Sequence, residues 1–101
     1  MEQKSGLLRI PLKKILAFSS DKRKVVLSLT DGDTLDFYGK LDTVEGGLPD
    51  YFIRCHNRHL VNLNYVTAVE KDGCTCGTLH LPVSRAYRQS LEIAFARLLL
   101  N

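Results

Sequence analysis

The stretch 24–38 leaves the chain little conformational choice. Val25, Leu27 and Leu29, then Leu35 and Phe37, alternate with mostly polar neighbours on either side of Asp31-Gly32-Asp33. A period of two puts the apolar residues on one face of a strand pair, and the Asp-Gly pair supplies the positive φ that a tight reversal needs. A β-hairpin with one buried face is predicted. The same reasoning predicts a second hairpin, in which residues 65–71 run through Asp72-Gly73 into residues 74–81, with Leu79, Leu81 and Val83 on a shared face and Gly77 at a bulge. Upstream, residues 7–10 and 15–18 read as short strands joined by a turn at residues 11–14.

Helical spacing occurs twice. Leu41, Val44 and Leu48, ended by Gly46-Gly47 and Pro49, predict a short helix packed on the sheets. After Pro82, Ser84 stands where a cap belongs, and Tyr87, Leu91, Ala94, Phe95 and Leu98 form one stripe opposite Arg85, Arg88, Gln89 and Glu92. Ile93, Ala96 and Leu100 widen the apolar surface beyond one stripe, which predicts either deep covering or a partner, with a homodimer as the simplest.

With 101 residues, 45% apolar and 25% charged, the chain has material for one modest core, so a single domain spanning 1–101 is expected. No run approaches the roughly 18 apolar residues of a membrane span. Lys4, Arg9, Lys13 and Lys14 interrupt the first twenty residues where a secretory signal would be uniformly apolar, so a cytoplasmic protein with no membrane partner is expected. Cys55, Cys74 and Cys76 are an odd number without a secretory signal, which favours reduced thiols.

The net charge of +3 is unevenly spread: residues 1–30 carry seven basic and two acidic side chains, residues 31–50 one and six, and residues 51–101 six and three. Such segregation can build a basic face for a polyanion, because the local field attracts phosphates. Between Tyr51 and Leu63, Arg54, His56, Asn57, Arg58, His59 and Asn62 stand among the anchors Phe52, Ile53, Leu60 and Val61, a pattern that reads as a presented recognition loop.

At this segment the sequence resembles the LytTR family, the DNA-binding domains typically found at the C-terminus of bacterial response regulators of the Agr and Lyt type. The resemblance rests on Ile-Pro-Leu-Lys-Lys-Ile-Leu-Ala-Phe from Ile10, the Asp-Phe-Tyr-Gly from Asp36, Phe-Ile-Arg-Cys-His-Asn from Phe52 with Leu-Val-Asn from Leu60, and Leu-Pro-Val-Ser-Arg from Leu81. It implies a mainly β fold with short helices, an elongated β-β-β arrangement of small antiparallel sheets plus a C-terminal helix, which binds double-stranded DNA through loops entering major grooves. It also implies three contact regions: Lys22, Arg23 and Lys24; Asn57 and Arg58; and Ser84 and Arg85. Asn can read the N6/N7 edge of adenine and Arg the O6/N7 edge of guanine, so Arg23, Asn57 and Arg85 are the expected base readers. Lys22, Lys24 and Arg88 are the expected phosphate contacts. His56 reads either as a phosphate contact or as a hydrogen-bonded scaffold residue, Asn62 as a turn brace or a DNA contact, Arg54 as a contact or the partner of an acidic side chain, and Cys55 as a small apolar filler or a redox thiol.

The family usually has more chain before the Ile-Pro-Leu element, so a short or missing first strand is expected, exposing a sheet edge. No receiver domain fits in the length, so a free-standing sequence-specific regulator is expected. The alternative is a protein-binding antagonist or modulator of a full-length regulator of the same family. A metal site is disfavoured: Cys74-x-Cys76 puts two thiols on one strand face, and adjacent Cys55 and His56 point oppositely. That opposition also argues against a cysteine nucleophile with a neighbouring base, so neither enzyme activity nor a cofactor is expected.

Overall fold

In the computed structural model, which describes residues 9–100, strands form two antiparallel sheets and a long helix ends the chain. A 3-10 turn at Leu12–Lys14 leads into β1 (Ile15–Asp21), β2 (Lys24–Leu29) and β3 (Thr34–Tyr38). Helix α1 (Leu41–Gly46) connects to β4 (Phe52–His56) and β5 (His59–Asn62), and the five strands pair in the order β3-β2-β1-β5-β4. A second 3-10 turn at Leu63–Tyr65 precedes β6 (Val66–Val69), β7 (Gly73–Cys76) and β8 (Leu79–Pro82), a three-stranded sheet, and then α2 (Arg85–Leu99).

Register sorts the side chains of the large sheet into two cores. Phe18 lies opposite Leu27 and Leu60, and Leu60 opposite Arg54, so these residues share one face. On that face Phe18, Val25, Leu27, Phe52 and Leu60 are buried together with Leu41 of α1. Ala17 and Val61 are paired and face the other way, where with Cys55 they meet Cys74 and Cys76 of β7, Val83, and Leu91 of α2. Fully burying one such leucine is worth about 1.5–3 kcal/mol, so α1 and the small sheet with α2 are each held by several such contributions on opposite sides of one sheet. Asn62, 1% exposed, is the brace: its Nδ2 donates to Ile15 O at 3.0 Å and its Oδ1 accepts from Asn64 N–H at 3.0 Å.

The hairpin predicted at 24–38 is present, with Leu27 opposite Leu35, Val25 opposite Phe37, and Gly32 at φ 94°. Its outer half is less buried than the alternation implies, since β3 is an edge strand and Phe37 remains 43% exposed. The second hairpin is instead two: β7 pairs with both β6 and β8, and Gly77 stands in the reversal between β7 and β8, while the bulge falls between Val66 and Ala68. The short strand expected over residues 7–10 is not found at Arg9 and Ile10, and Leu7 and Leu8 lie outside the described residues. Most of the stretch 51–63 is a core hairpin rather than a presented loop: Arg54, Cys55, Leu60, Val61 and Asn62 are buried, and only Asn57 and Arg58 are exposed in the turn. Phe52 and Leu60 fill one core and Val61 the other, which makes Arg54, His56 and His59 strand residues and leaves Asn57 and Arg58 in the turn.

Gly77 is needed twice over. It adopts φ 60°, a region that disfavours any side chain, and a Cβ there would lie 2.7 Å from a methyl of the buried Leu16. Gly77→Ala is expected to lower the unfolding free energy by about 1–3 kcal/mol, read as a reduced urea midpoint at unchanged slope. An unchanged midpoint would show that the small sheet does not close on β1 in this way.

Between β1 and β5, Ser19 Oγ and His59 Nδ1 lie 2.9 Å apart. Burial, then the charges of His56 and Arg58, hold the His59 pKa below the ordinary 6.5. The unfolded chain therefore binds this proton more tightly than the folded one. The stabilisation is complete above pH 6.5 and is lost as pH falls through 6.5 towards the depressed folded value. Denaturation measured between about pH 7 and pH 5 is expected to show stability falling with acidity, with a shallower fall in His59→Gln. An identical slope in the variant would assign the effect elsewhere.

Candidate nucleic-acid interface

The register of the large sheet decides where its turns emerge. Asp21 pairs with Lys24, leaving Lys22 and Arg23 as the reversal between β1 and β2. Lys24 lies opposite Tyr38, Ser19 opposite His59, and His59 opposite His56. The β1–β2 turn, the β4–β5 turn and the exit of β3 at Gly39-Lys40 therefore leave the same end of the sheet. Two backbone bonds tie them together: Ser20 N–H donates to Arg58 O at 2.8 Å, and Gly39 N–H to Arg23 O at 2.9 Å. At the outer edge of β4, Ser84 N–H donates to Cys55 O at 3.0 Å, which sets the first turn of α2 beside the Asn57 turn. With strands about 4.8 Å apart, five of them make this end about 19 Å wide.

Of the residues singled out from the sequence, Lys22, Arg23, Asn57, Arg58 and Arg85 are exposed at this end. Lys24 is half-buried, its ammonium 5.4 Å from the centre of the Tyr38 ring. Lys22 adopts φ 59°, a conformation that costs a side-chain-bearing residue about 1–2 kcal/mol. His56 Nδ1 accepts the Arg58 N–H at 3.1 Å, so His56 supports the turn that carries Asn57 and Arg58. Ser84 occupies the N-cap position of α2 without capping it; its Oγ is buried and finds no partner among the described residues, so the backbone rather than the hydroxyl does the positioning. Arg88 lies 3.4 Å from Glu92 on the helix surface, an exposed pair worth about 0.3–0.5 kcal/mol that a phosphate can displace.

Arg54 is the partner of acidic side chains. It is 8% exposed, and its guanidinium reaches Asp42, Glu45 at 2.8 Å and, through Nη1, the carbonyl of Asn57 at 2.8 Å. Burial pulls its pKa down, and the hydrogen-bonded Asp42 and Glu45 carboxylates raise it by more, so the group stays charged. One side chain thereby ties α1 to the β4–β5 turn.

Lys40 was not among the residues expected from the sequence. It lines a cleft of about 500 Å³ with Lys22, Arg23, Asn57 and Arg54. The signal lay in the charge pattern, since Lys40 is the one basic residue in the acidic stretch 31–50. Asp31 and Asp33 sit on the β2–β3 turn at the opposite end of the sheet, about 20 Å away along six residues of β2. The cysteines do not belong to this end. Cys55, Cys74 and Cys76 are buried in one core; the hydrogen bond with Cys74, then burial, push the Cys55 thiol far above its ordinary value, and burial pushes Cys76 up to about 11. Cys55 is accordingly a core filler whose thiolate is suppressed.

Residues 5–95 match the LytTR family, described as the LytTr DNA-binding domain. A solved structure, the LytTr DNA-binding domain of a response regulator from Bacillus cereus, superimposes with a TM-score of 0.79 at 24% identity, covering 92% of this chain and 91% of that one. The curated proteins yield no match. The superposition establishes the fold, with its two antiparallel sheets and C-terminal helix, and the match along nearly the whole sequence establishes the relationship: this chain belongs to the LytTR family of DNA-binding domains.

Proposed function

We propose that the chain is a sequence-specific bacterial transcriptional regulator, acting in the cytoplasm, that reads major-groove bases of duplex DNA through turns rather than through an inserted helix. The observation that carries this reading is the convergence of Lys22-Arg23, Asn57-Arg58 and the start of α2 on one end of the large sheet. Arg23, Asn57 and Arg85 are the base readers on this reading; Lys22, Lys24, Arg58 and Arg88 take phosphates, Ser84 places Arg85 through its backbone, and His56 holds the Asn57 turn. The described part of the molecule is 42 Å long, comparable with the roughly 34 Å of one DNA turn, so several turns can engage one face of a duplex.

A second reading is favoured by one observation. Ile93, Leu98, Leu99 and Leu100 of α2 and its end are 39–86% exposed, an apolar surface that suits a homodimer or a full-length regulator of the same family. Sequestration of such a regulator predicts a complex that forms without DNA, whereas promoter binding predicts affinity for duplexes alone.

Selecting bound duplexes from a random pool, followed by shift assays over a range of salt, tests the first reading. Arg23→Ala, Asn57→Ala and Arg85→Ala are each expected to cost about 1–3 kcal/mol on the selected duplex and to relax preference at one or two positions. Indifference to sequence at low salt, or no binding, would remove the reading. Arg54→Met keeps the buried stem but frees the Asn57 carbonyl and both carboxylates. It is expected to weaken binding to the selected duplex at least tenfold while the circular dichroism of the fold persists; wild-type affinity would show that Arg54 does not position the turn.

A further inference from the structure

The β1–β2 turn stands between two clefts. Asp21, Lys24 and Tyr38 lie opposite one another across β1, β2 and β3, so their side chains share the sheet face away from α1, while Ser20, Val25 and Phe37 share the α1 face. On the α1 face, the 500 Å³ cleft is bounded by Lys22, Arg23, Lys40 and Asn57. On the other face, a cleft of about 470 Å³ is bounded by Lys22, Arg23, Lys24 and Tyr38. Lys22 and Arg23 line both, which makes the turn the ridge that divides them.

Each cleft is cationic on balance. The first gathers Lys22, Arg23 and Lys40 around Asp42, whose carboxylate is already held by Arg54. The second gathers Lys22, Arg23 and Lys24 around Asp21. A two-stranded ribbon has the width that a major groove admits, and the two walls of such a groove are phosphodiester strands about 12 Å apart. A ridge of this width entering the groove brings one wall against each cleft.

We infer that the paired clefts are seats for the two phosphate backbones flanking the groove that the Lys22-Arg23 turn enters, with Lys40 as the contact in one seat and Lys24, its ammonium over Tyr38, in the other. The inference rests on the DNA-binding reading above and deepens it: Lys40 becomes a positioning contact that carries no sequence information. The left-handed conformation of Lys22 agrees with this. Glycine would sit there without strain, and the lysine brings a cation to the crest shared by both seats.

Lys40→Gln removes the charge while leaving the backbone carbonyl that accepts Val44 N–H, and the exposed position tolerates the change. Binding of the wild type, Lys40→Gln and Lys13→Gln is measured over a salt series on a selected duplex and on a scrambled duplex of equal length. Lys13 lies in the 3-10 turn before β1, at the far end of that strand, and serves as the control. For Lys40→Gln the expected result is a similar fold-loss on both duplexes and a slope of log affinity against log salt that is shallower by about 1, with the Lys13→Gln slope unchanged. A wild-type slope in Lys40→Gln, an equal change in Lys13→Gln, or a loss confined to the selected duplex would each overturn the seats while leaving DNA binding intact. Failure of the wild type to bind either duplex would instead overturn the underlying reading.

Discussion

β1 is hydrogen-bonded on both edges, to β2 and to β5, and its register with each neighbour fixes everything that emerges from the sheet. A slip of one residue would turn Phe18 out of one core and Ala17 out of the other, so both cores oppose it together. With register locked from both faces, the pairings Asp21 to Lys24 and Ser19 to His59 place two reversals about 10 Å apart, since two strand spacings separate them. The β1–β2 turn does not have to be ordered by its own sequence. Lys22 shows how strongly the strands dictate the turn: it holds a left-handed conformation that its own side chain disfavours.

Arg54 performs the corresponding task for the second turn at a different kind of cost. A buried guanidinium loses its hydration, and an apolar residue of the same size would commonly be as stable or more so. What an apolar residue cannot do is bond the Asn57 carbonyl and the Asp42 and Glu45 carboxylates at once. The charge thus fixes a loop relative to a helix, and it also offsets the Asp42 carboxylate that lines the cationic cleft. The same residue links the fold to the electrostatics of the site.

The sequence made the periodic elements and the Asp31-Gly32-Asp33 reversal legible and left the strand ends around Gly73 and Gly77 obscure. The 24–38 hairpin, α1 and α2 follow from apolar spacing and were readable, as was Asn62 in its bracing role. The three-strand arrangement of residues 66–82 was not, because Gly77 and Gly73 give the same local signal whether they mark a bulge, a reversal or a strand end, and only contact with Leu16 shows which. The stretch 51–63 looked like a loop because its polar side chains outnumber its anchors. Burial of Arg54 and Asn62 depends on partners at Asp42, Glu45 and Ile15, which are distant in sequence. Lys40 follows the same rule: it joins Lys22 and Arg23 only through the pairing of β2 with β3, a contact between segments separated in sequence.

Charge placement follows from this topology. A hairpin separates its turn from its open end by its own length, so the acidic Asp31 and Asp33 and the basic Lys22 and Arg23, close in sequence, stand about 20 Å apart across six residues of β2. That separation exceeds the roughly 8 Å over which surface charges act at physiological salt, so the acidic turn does little to cancel the basic end. A net charge of only +3 is therefore compatible with a strongly cationic face. The segments that carry these cations are tied to one another, since Ser20 N–H donates to Arg58 O, Gly39 N–H to Arg23 O and Ser84 N–H to Cys55 O. Arg23, Lys40 and Asn57 also line one cleft with Arg54, which bonds the Asn57 carbonyl, and groups that share a network in this way act as a unit rather than additively.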